Sequence, residues 1–183
     1  MSLLDLVPAR RGHFAYESGH HGDTWLDLDT LFVRPAPLAP HCAELARRLA
    51  AYGVSAVCGP LTGGAFAAQA VAVELDARFA WTTWPGYTLP GPLAAAVAGR
   101  RVAIVDDAVN AGSAVLATAS ALTTAGATVA AVGALLVLDD AATVVGKALD
   151  VPVEHLATLP TSLWPAPACP LCAAGAPLDD PTS

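Results

Sequence analysis

Apolar residues along this chain gather into short unbroken runs, and these alternate with stretches of helical spacing. Val54–Cys58 leads into the turn Gly59–Gly64, Arg101–Val105 into Asp106–Asp107, and Gly133–Leu138 into Asp139–Asp140, with a weaker run at Arg78–Thr83. Such short runs, bounded by turn residues and without polar alternation, predict buried parallel strands. Pro40–Ala51, Ala65–Leu75 and Ser113–Ala125 are rich in helix formers at helical spacing and predict helices between the strands. Strands alternating with helices of this length predict an α/β fold, a parallel sheet flanked by helices on right-handed crossovers. Ligands on such sheets bind beyond the carboxyl ends of the strands. Both Gly59–Gly64 and Asp106–Ser113 fall at that edge.

Two flanking regions break the rhythm. Residues 1–36, with clustered His, Asp and aromatic residues, predict a small hood over the sheet edge. Residues 160–183, rich in proline and ending beyond a Cys-Pro-Leu-Cys pair, predict an extended C-terminal tail. The expected organisation is a single domain over 1–183, with its core at 37–159 and no internal repeats. A length of 183 residues suits one hydrophobic core and is short for two domains.

Composition narrows the class. The chain is 55% hydrophobic and 14% charged, which marks it as globular. Its most apolar stretch, Ala125–Leu138, is interrupted by Gly126, Thr128 and Gly133 and falls short of the about 20 apolar residues of a membrane span. Met1–Arg11 places its arginines after its apolar residues and lacks signal-peptide order, so a soluble, cytoplasmic protein is expected. The net charge is -7 and Lys147 is the single lysine. Arg10–Arg11, Arg47–Arg48 and Arg100–Arg101 are too scattered for a cationic stripe, which argues against nucleic acid as a partner.

The most informative segment is Val102-Ala-Ile-Val-Asp-Asp-Ala-Val-Asn-Ala-Gly-Ser-Ala114. A buried strand delivers two adjacent carboxylates, then a loop of small residues, then a helix beginning near Ser113. Small residues allow backbone N–H groups to approach a phosphate, and a helix N-terminus adds partial positive charge. Asn110 and Ser113 offer side-chain hydrogen bonds to phosphate oxygens. Asp106 and Asp107 would instead accept hydrogen bonds from the vicinal hydroxyls of a ribose, directly or through a magnesium shell. About 45 residues upstream, Cys58-Gly-Pro-Leu-Thr-Gly-Gly64 is a second turn whose glycines permit close backbone approach.

The thirteen-residue segment resembles the phosphoribosyl-pyrophosphate motif of type I phosphoribosyltransferases, with its apolar strand, two acids, and hydroxyl-and-glycine loop. That resemblance implies a Rossmann-like core. It also implies binding of phosphoribosyl pyrophosphate by Asp106, Asp107, Ala108, Val109, Asn110, Ala111, Gly112, Ser113 and Ala114, with Asp106 and Asp107 catalytic. Leu61, Thr62, Gly63 and Gly64 are similar to the family's pyrophosphate loop. Gly12-His-Phe-Ala-Tyr-Glu-Ser-Gly19 resembles the N-terminus of the orotate branch, which implies a base pocket from Phe14, Tyr16, Ser18 and Gly19. Cys169–Leu178 resembles the C-terminus of a bacterial subset of that branch.

The implied activity is transfer of ribose 5-phosphate to a nucleobase. Mg2+ would be held through the ligand diphosphate rather than by a side-chain motif, and the implied assembly is a homodimer. Three positions depart from the pattern. Asn110-Ala111 stands where two threonines are usual. Trp81–Gly99 holds no charged residue and no histidine where the orotate branch has a basic loop. Asp139-Asp140 stands where an aspartate–arginine pair would meet orotate, and a carboxylate there repels an anionic base. These departures favour an alternative, a non-catalytic nucleotide- or phosphoribosyl-pyrophosphate-binding regulator or partner subunit that has lost the basic loop. An enzyme acting on another base, or in the hydrolytic or phosphorolytic direction, is a third reading. Without loop lysines, catalysis would lean on Mg2+, backbone amides or arginines such as Arg78, Arg100 and Arg101.

Several other residues carry chemistry. Tyr16 and Trp25 are candidates to stack on a planar base, and Trp81, Trp84 and Tyr87 for an apolar lid or a dimer contact. His13, His20, His21, Asp23, Asp27 and Asp29 fit no defined ligand spacing and read as a solvated loop. Cys169 and Cys172 have the spacing of half a zinc site. With Cys42, Cys58 and His155 as the candidates for the other half, a structural tail without metal is the expected state.

Overall fold

A computed structural model describes residues 1–16 and 18–180; residue 17 in the expected hood and residues 181–183 of the expected tail lie outside the described residues. The chain opens with a hairpin of β1 (Ala9–Ala15) and β2 (His20–Leu26), followed by α1 (Thr30–Val33) and α2 (Pro35–Leu49). The core then runs β3 (Ala56–Pro60), α3 (Gly63–Glu74), β4 (Arg78–Thr82), α4 (Gly91–Val97), β5 (Arg101–Val109), α5 (Ser113–Thr124), β6 (Thr128–Leu138), α6 (Ala141–Leu149) and β7 (Val153–Leu159). A short β8 (Leu163–Pro165) and a single-turn α7 (Pro170–Ala173) complete it.

The five core strands form one parallel sheet in the order β4-β3-β5-β6-β7. Alternate residues face opposite layers, as the strand period requires. Val57, Ala103, Val105, Ala131 and Leu135 pack against Leu38, Leu45 and Leu49 of α2 and Ala67, Ala68 and Val71 of α3. Ala56, Cys58, Val102, Ile104, Val132 and Ala134 pack against Val97, Val115, Ala119, Leu122 and Val145 of α4, α5 and α6. With both faces covered, β3 is buried at all five positions, which is why it reads as a continuous apolar run.

Three boundaries differ from expectation for physical reasons. The second helix begins at Pro35 rather than Pro40, because proline at the first helical position sacrifices no hydrogen bond. β7 forms at the sheet edge from half-buried residues that lack an apolar run. The N-terminal region is a hairpin rather than a solvated loop. Its β2 pairs with β8, so the tail is docked in a three-stranded antiparallel sheet.

The strand order fixes where a ligand can bind. From β3 the chain passes to β4 on one side, then crosses back to β5 on the other. Their carboxyl ends diverge at this reversal and leave a crevice between the connections that follow β3 and β5. No helix among the described residues is long and apolar enough to cross a membrane.

Candidate active site at the strand reversal

β5 delivers Asp106 and Asp107 to this crevice. Successive strand residues face opposite ways, so Asp106 is buried and Asp107 half-buried. Asp106 Oδ1 accepts a hydrogen bond of 3.0 Å from the Asp107 amide, and Asp107 Oδ1 one of 3.0 Å from the Ala108 amide. The turn after β3 comes from the opposite side. A Cβ on Gly63 would lie 2.0 Å from Asp107 Oδ2, and one on Gly64 would lie 2.3 Å from Asp106 Oδ1. The two glycines therefore serve the carboxylates directly, since any side chain would occupy their oxygens' space.

Beyond Asp107 the chain turns through Asn110, Ala111 and Gly112 into α5. Gly112 has φ of 77°, a left-handed conformation, and a Cβ there would meet Val145 Cγ2 at 2.5 Å. Among the described residues no side chain caps α5 or α3, which leaves their first-turn amides for a ligand.

Two adjoining cavities occupy the crevice. One of about 400 Å3 is lined by Tyr16, Thr24, Trp25, Leu26, Asp27, Leu28 and Asp29 of the hairpin region and by Thr62, Gly63, Asp107, Ala108, Asn110 and Leu138 of the core. A smaller one of about 170 Å3 is bounded by Tyr16, Ser18, Asp106 and the whole loop from Ala108 to Ala114. Tyr16, Ala108 and Asn110 line both. A third cavity of about 530 Å3, between Gly86–Leu89 and α5, presents among the described residues no carboxylate, amine or imidazole.

Electrostatics single out the same place. Burial pushes the Asp106 carboxyl well above the usual carboxylate range, and the neighbouring Asp107 charge adds to this. Burial also raises Asp107, opposed by the hydrogen bonds it accepts. Two adjacent acids, one buried and one half-buried, make it costly for both to carry charge. Among the described residues, no lysine, arginine or histidine lines either cavity.

The chain is 30% identical over 175 residues to the orotate phosphoribosyltransferase of Caldanaerobacter subterraneus subsp. tengcongensis, covering 94% of this chain and 90% of that protein. It is 32% identical over 174 residues to the orotate phosphoribosyltransferase of Thermotoga maritima, again covering 94% and 90%. The chain belongs to the orotate phosphoribosyltransferase family. Solved structures agree in fold. The adenine phosphoribosyltransferase of Thermoanaerobacter pseudethanolicus has a TM-score of 0.68 at 20% identity, over 86% of this chain and 98% of that one. The Mycobacterium tuberculosis orotate phosphoribosyltransferase in complex with inorganic phosphate has a TM-score of 0.64 at 22% identity, over 81% and 87%. No protein-family model matches the chain.

Within this family frame, the expected site residues separate into groups. Asp106–Ala114, Thr62 and Gly63 come together in the crevice, and Gly64 lies directly beneath Asp106. Leu61 is exposed and lines neither cavity. Of the expected base pocket, Tyr16 and Ser18 line the cavities. Phe14 turns into the hood interior, 5.9 Å from the Trp25 ring, and Gly19 forms the hairpin turn with φ of 79°. Tyr16 and Trp25 stack, with ring centroids 6.2 Å apart and planes 15° from parallel, and the Tyr16 hydroxyl donates to the Thr24 carbonyl.

Arg100 and Arg101 bind the carbonyls of Ala96 and Tyr52 at the start of β5. Asp107 lies six residues along β5 from Arg101, roughly 20 Å of extended chain, so Arg100 and Arg101, expected to help with the diphosphate, are at the wrong end of the sheet. Trp84 is exposed and packs edge-on to Tyr87, and neither ring lines the crevice cavities. Thr24, Leu26, Leu28 and Leu138 line the larger cavity, yet nothing in their sequence context sets them apart.

Proposed function

We propose that this chain transfers ribose 5-phosphate from phosphoribosyl pyrophosphate to a nucleobase. The observation that carries the reading is the meeting of the Asp106–Asp107 pair with the Gly63–Gly64 turn across the strand reversal, at the junction of two contiguous cavities. The smaller cavity, walled by the 108–114 loop and the first turn of α5, suits a 5′-phosphate held by backbone amides, Asn110 and Ser113. Asp106 and Asp107 accept hydrogen bonds from the ribose hydroxyls. The Thr62–Gly63 turn offers its amides to the departing pyrophosphate, and the base lies in the larger cavity against Tyr16 and Trp25.

Catalysis on this plan is positioning and charge stabilisation of an oxocarbenium-like ribose. The acid pair, its carboxyls raised by burial, places a proton donor or acceptor beside the sugar. Reactions of this family are metal-dependent. Asp106 and Asp107 supply hard oxygen donors whose burial leaves their charge poorly compensated, a donor set that suits Mg2+. With the diphosphate, Mg2+ would supply the positive charge that the cavity side chains lack.

The lining also bears on the acceptor. Asp27, Asp29 and Asp107 face the larger cavity with no cationic side chain among the described residues. This favours a base that presents N–H donors and carries no carboxylate. The proposal includes a homodimer, supported by a partly exposed, largely apolar groove of Phe32, Pro35, Phe66, Gln69, Ala70 and Val73 between α1, α2 and α3. Sedimentation at micromolar concentration tests it.

The absence of cavity cations favours a second reading, a phosphoribosyl-pyrophosphate-binding regulator or partner subunit without turnover. Pyrophosphate release from phosphoribosyl pyrophosphate and Mg2+, measured with orotate, uracil, adenine and hypoxanthine, separates the two. Turnover with an uncharged base is the expected result. Turnover with orotate alone overturns the acceptor assignment, and binding without release on any base leaves the regulator.

A further inference from the structure

A second cluster of chemistry-bearing side chains lies outside the crevice. His13, His21, Cys169 and Cys172 each offer one ligand atom, and the four atoms lie within 4.8 Å of one another. From this juxtaposition we infer a structural Zn2+ site of Cys2His2 type that ties the C-terminal segment to the N-terminal hairpin.

The backbone explains the convergence. Two residues of β1, Gly12 and His13, oppose the single residue Asp23 of β2, a β-bulge that resets the facing of β1. Beyond the bulge, Ala15 pairs with His21. His13, two residues before Ala15, therefore shares a face with His21 as its diagonal neighbour, with ring centroids 5.1 Å apart. β8 then pairs Trp164 with His21 and brings the chain to the same place. Cys169 caps α7 and Cys172 lies within its single turn, so the spacing of three puts both sulfurs on one side.

Four of the six edges of the cluster come close to those of a tetrahedral ion. Zn–N bonds of about 2.0–2.1 Å and Zn–S bonds of about 2.3 Å require N···N edges of about 3.3 Å and N···S edges of about 3.6 Å. The observed separations are 3.1 Å for His13 Nε2 to His21 Nδ1, 3.4 Å for Cys169 Sγ to His13 Nε2, 3.6 Å for Cys172 Sγ to His13 Nε2, and 3.2 Å for Cys172 Sγ to His21 Nδ1.

The surroundings are built for a ligand too. His13 Nδ1 lies 3.0 Å from the Ala176 carbonyl, which can only accept; donation from Nδ1 leaves the Nε2 lone pair facing the cluster. The His13 main chain is held from both sides by Asp179, whose side chain accepts from the His13 amide at 2.7 Å and whose amide donates to the His13 carbonyl at 2.7 Å. Gly12 leaves room for this clasp, since a Cβ there would lie 2.3 Å from Asp179 Oδ2.

Four protein ligands leave no open position, and none of them lines the crevice cavities, so the ion is structural rather than catalytic. Two nitrogens and two sulfurs at tetrahedral spacing select zinc over magnesium or calcium. On binding, both thiols lose their protons to solvent, and the thiolates and ring nitrogens donate their lone pairs to the ion. Cys42 and Cys58, once candidates for the missing ligands, are buried against opposite faces of the core sheet, where burial raises their thiols to about 11 and about 12.

The test uses the full-length chain, purified without a histidine tag and dialysed against metal-free buffer. Mass-spectrometric metal analysis is expected to find about one zinc per chain. Replacement by Co2+ should give the ligand-field and thiolate charge-transfer bands of tetrahedral cobalt. Chelation of the zinc should lower the unfolding midpoint by about 5 °C or more. Cys172→Ser and His21→Ala should each retain less than a tenth of the wild-type zinc, while His20→Ala retains all of it. The wild-type measurements stand even where a variant fails to fold. Wild-type protein that neither carries zinc nor takes up micromolar Zn2+ or Co2+ overturns the inference, as does undiminished zinc in Cys172→Ser.

Discussion

The crevice at the strand reversal and the His–Cys cluster of the hood are both built from polar groups held in unusual surroundings, but their construction is opposite. The crevice takes its acids and its phosphate loop from nine consecutive residues, Asp106–Ala114, and adds to them the Thr62–Gly63 turn and the Tyr16–Trp25 wall of the hairpin region. The cluster takes two ligands from a hairpin and two from a turn about 150 residues later, and exists only after β8 has paired with β2. The crevice works against stability, because burial of Asp106 and Asp107 disfavours their charge. A metal-filled cluster works for it, because metal binding adds to folding free energy. The unfavourable burial of charge is thus confined to one strand end, while the hairpin and the segment at 160–180 are joined elsewhere by β2–β8 pairing.

The largest effect expected on the crevice is on turnover. Asp107→Asn should lower kcat/KM by about 10^2–10^4-fold through loss of a proton-transfer group. A smaller loss in a pyrophosphate-release assay would remove Asp107 from that role. Gly63→Ala comes next. Its Cβ would displace the Asp107 carboxyl group, so activity should fall by more than about tenfold while the stability cost remains about 1–3 kcal/mol. An unfolding curve beside the kinetics separates the two. Asn110→Ala should raise KM for phosphoribosyl pyrophosphate by about tenfold, the worth of one hydrogen bond to a charged oxygen, with kcat less affected. An unchanged KM would place the 5′-phosphate elsewhere.

Asp106→Asn tests the stability side of the comparison. The folded-state pKa of Asp106 lies above its ordinary value of 3.8, so the native state binds the proton more tightly than the unfolded one. Its contribution therefore becomes less favourable as pH rises from about 4 through the raised folded value. Asp106→Asn should lose activity yet raise the unfolding midpoint at pH 8 by about 2–4 °C, a gain that shrinks towards pH 4. A variant less stable than wild type at pH 8 would show that the ionised carboxylate is compensated. The smallest effect is expected away from both regions. Trp84→Ala removes an exposed ring and should alter stability by no more than about 0.5 kcal/mol, with unchanged kcat/KM.

The amino-acid sequence by itself determined the parallel α/β core and the candidate ribose-phosphate loop. A strand buried on both faces must be apolar throughout, and a phosphate loop must run through small residues into a helix start. Both constraints act on neighbours in the chain, so their traces are local. Tertiary structure alone decided that Gly63 and Gly64 leave room for the two carboxylates, that Arg100 and Arg101 stand at the far end of β5, and that His13 and His21 complete the Cys169–Cys172 pair. Each of these depends on strand order, a bulge or a long-range pairing. Such features set distances between residues far apart in the chain and leave no period or spacing to read.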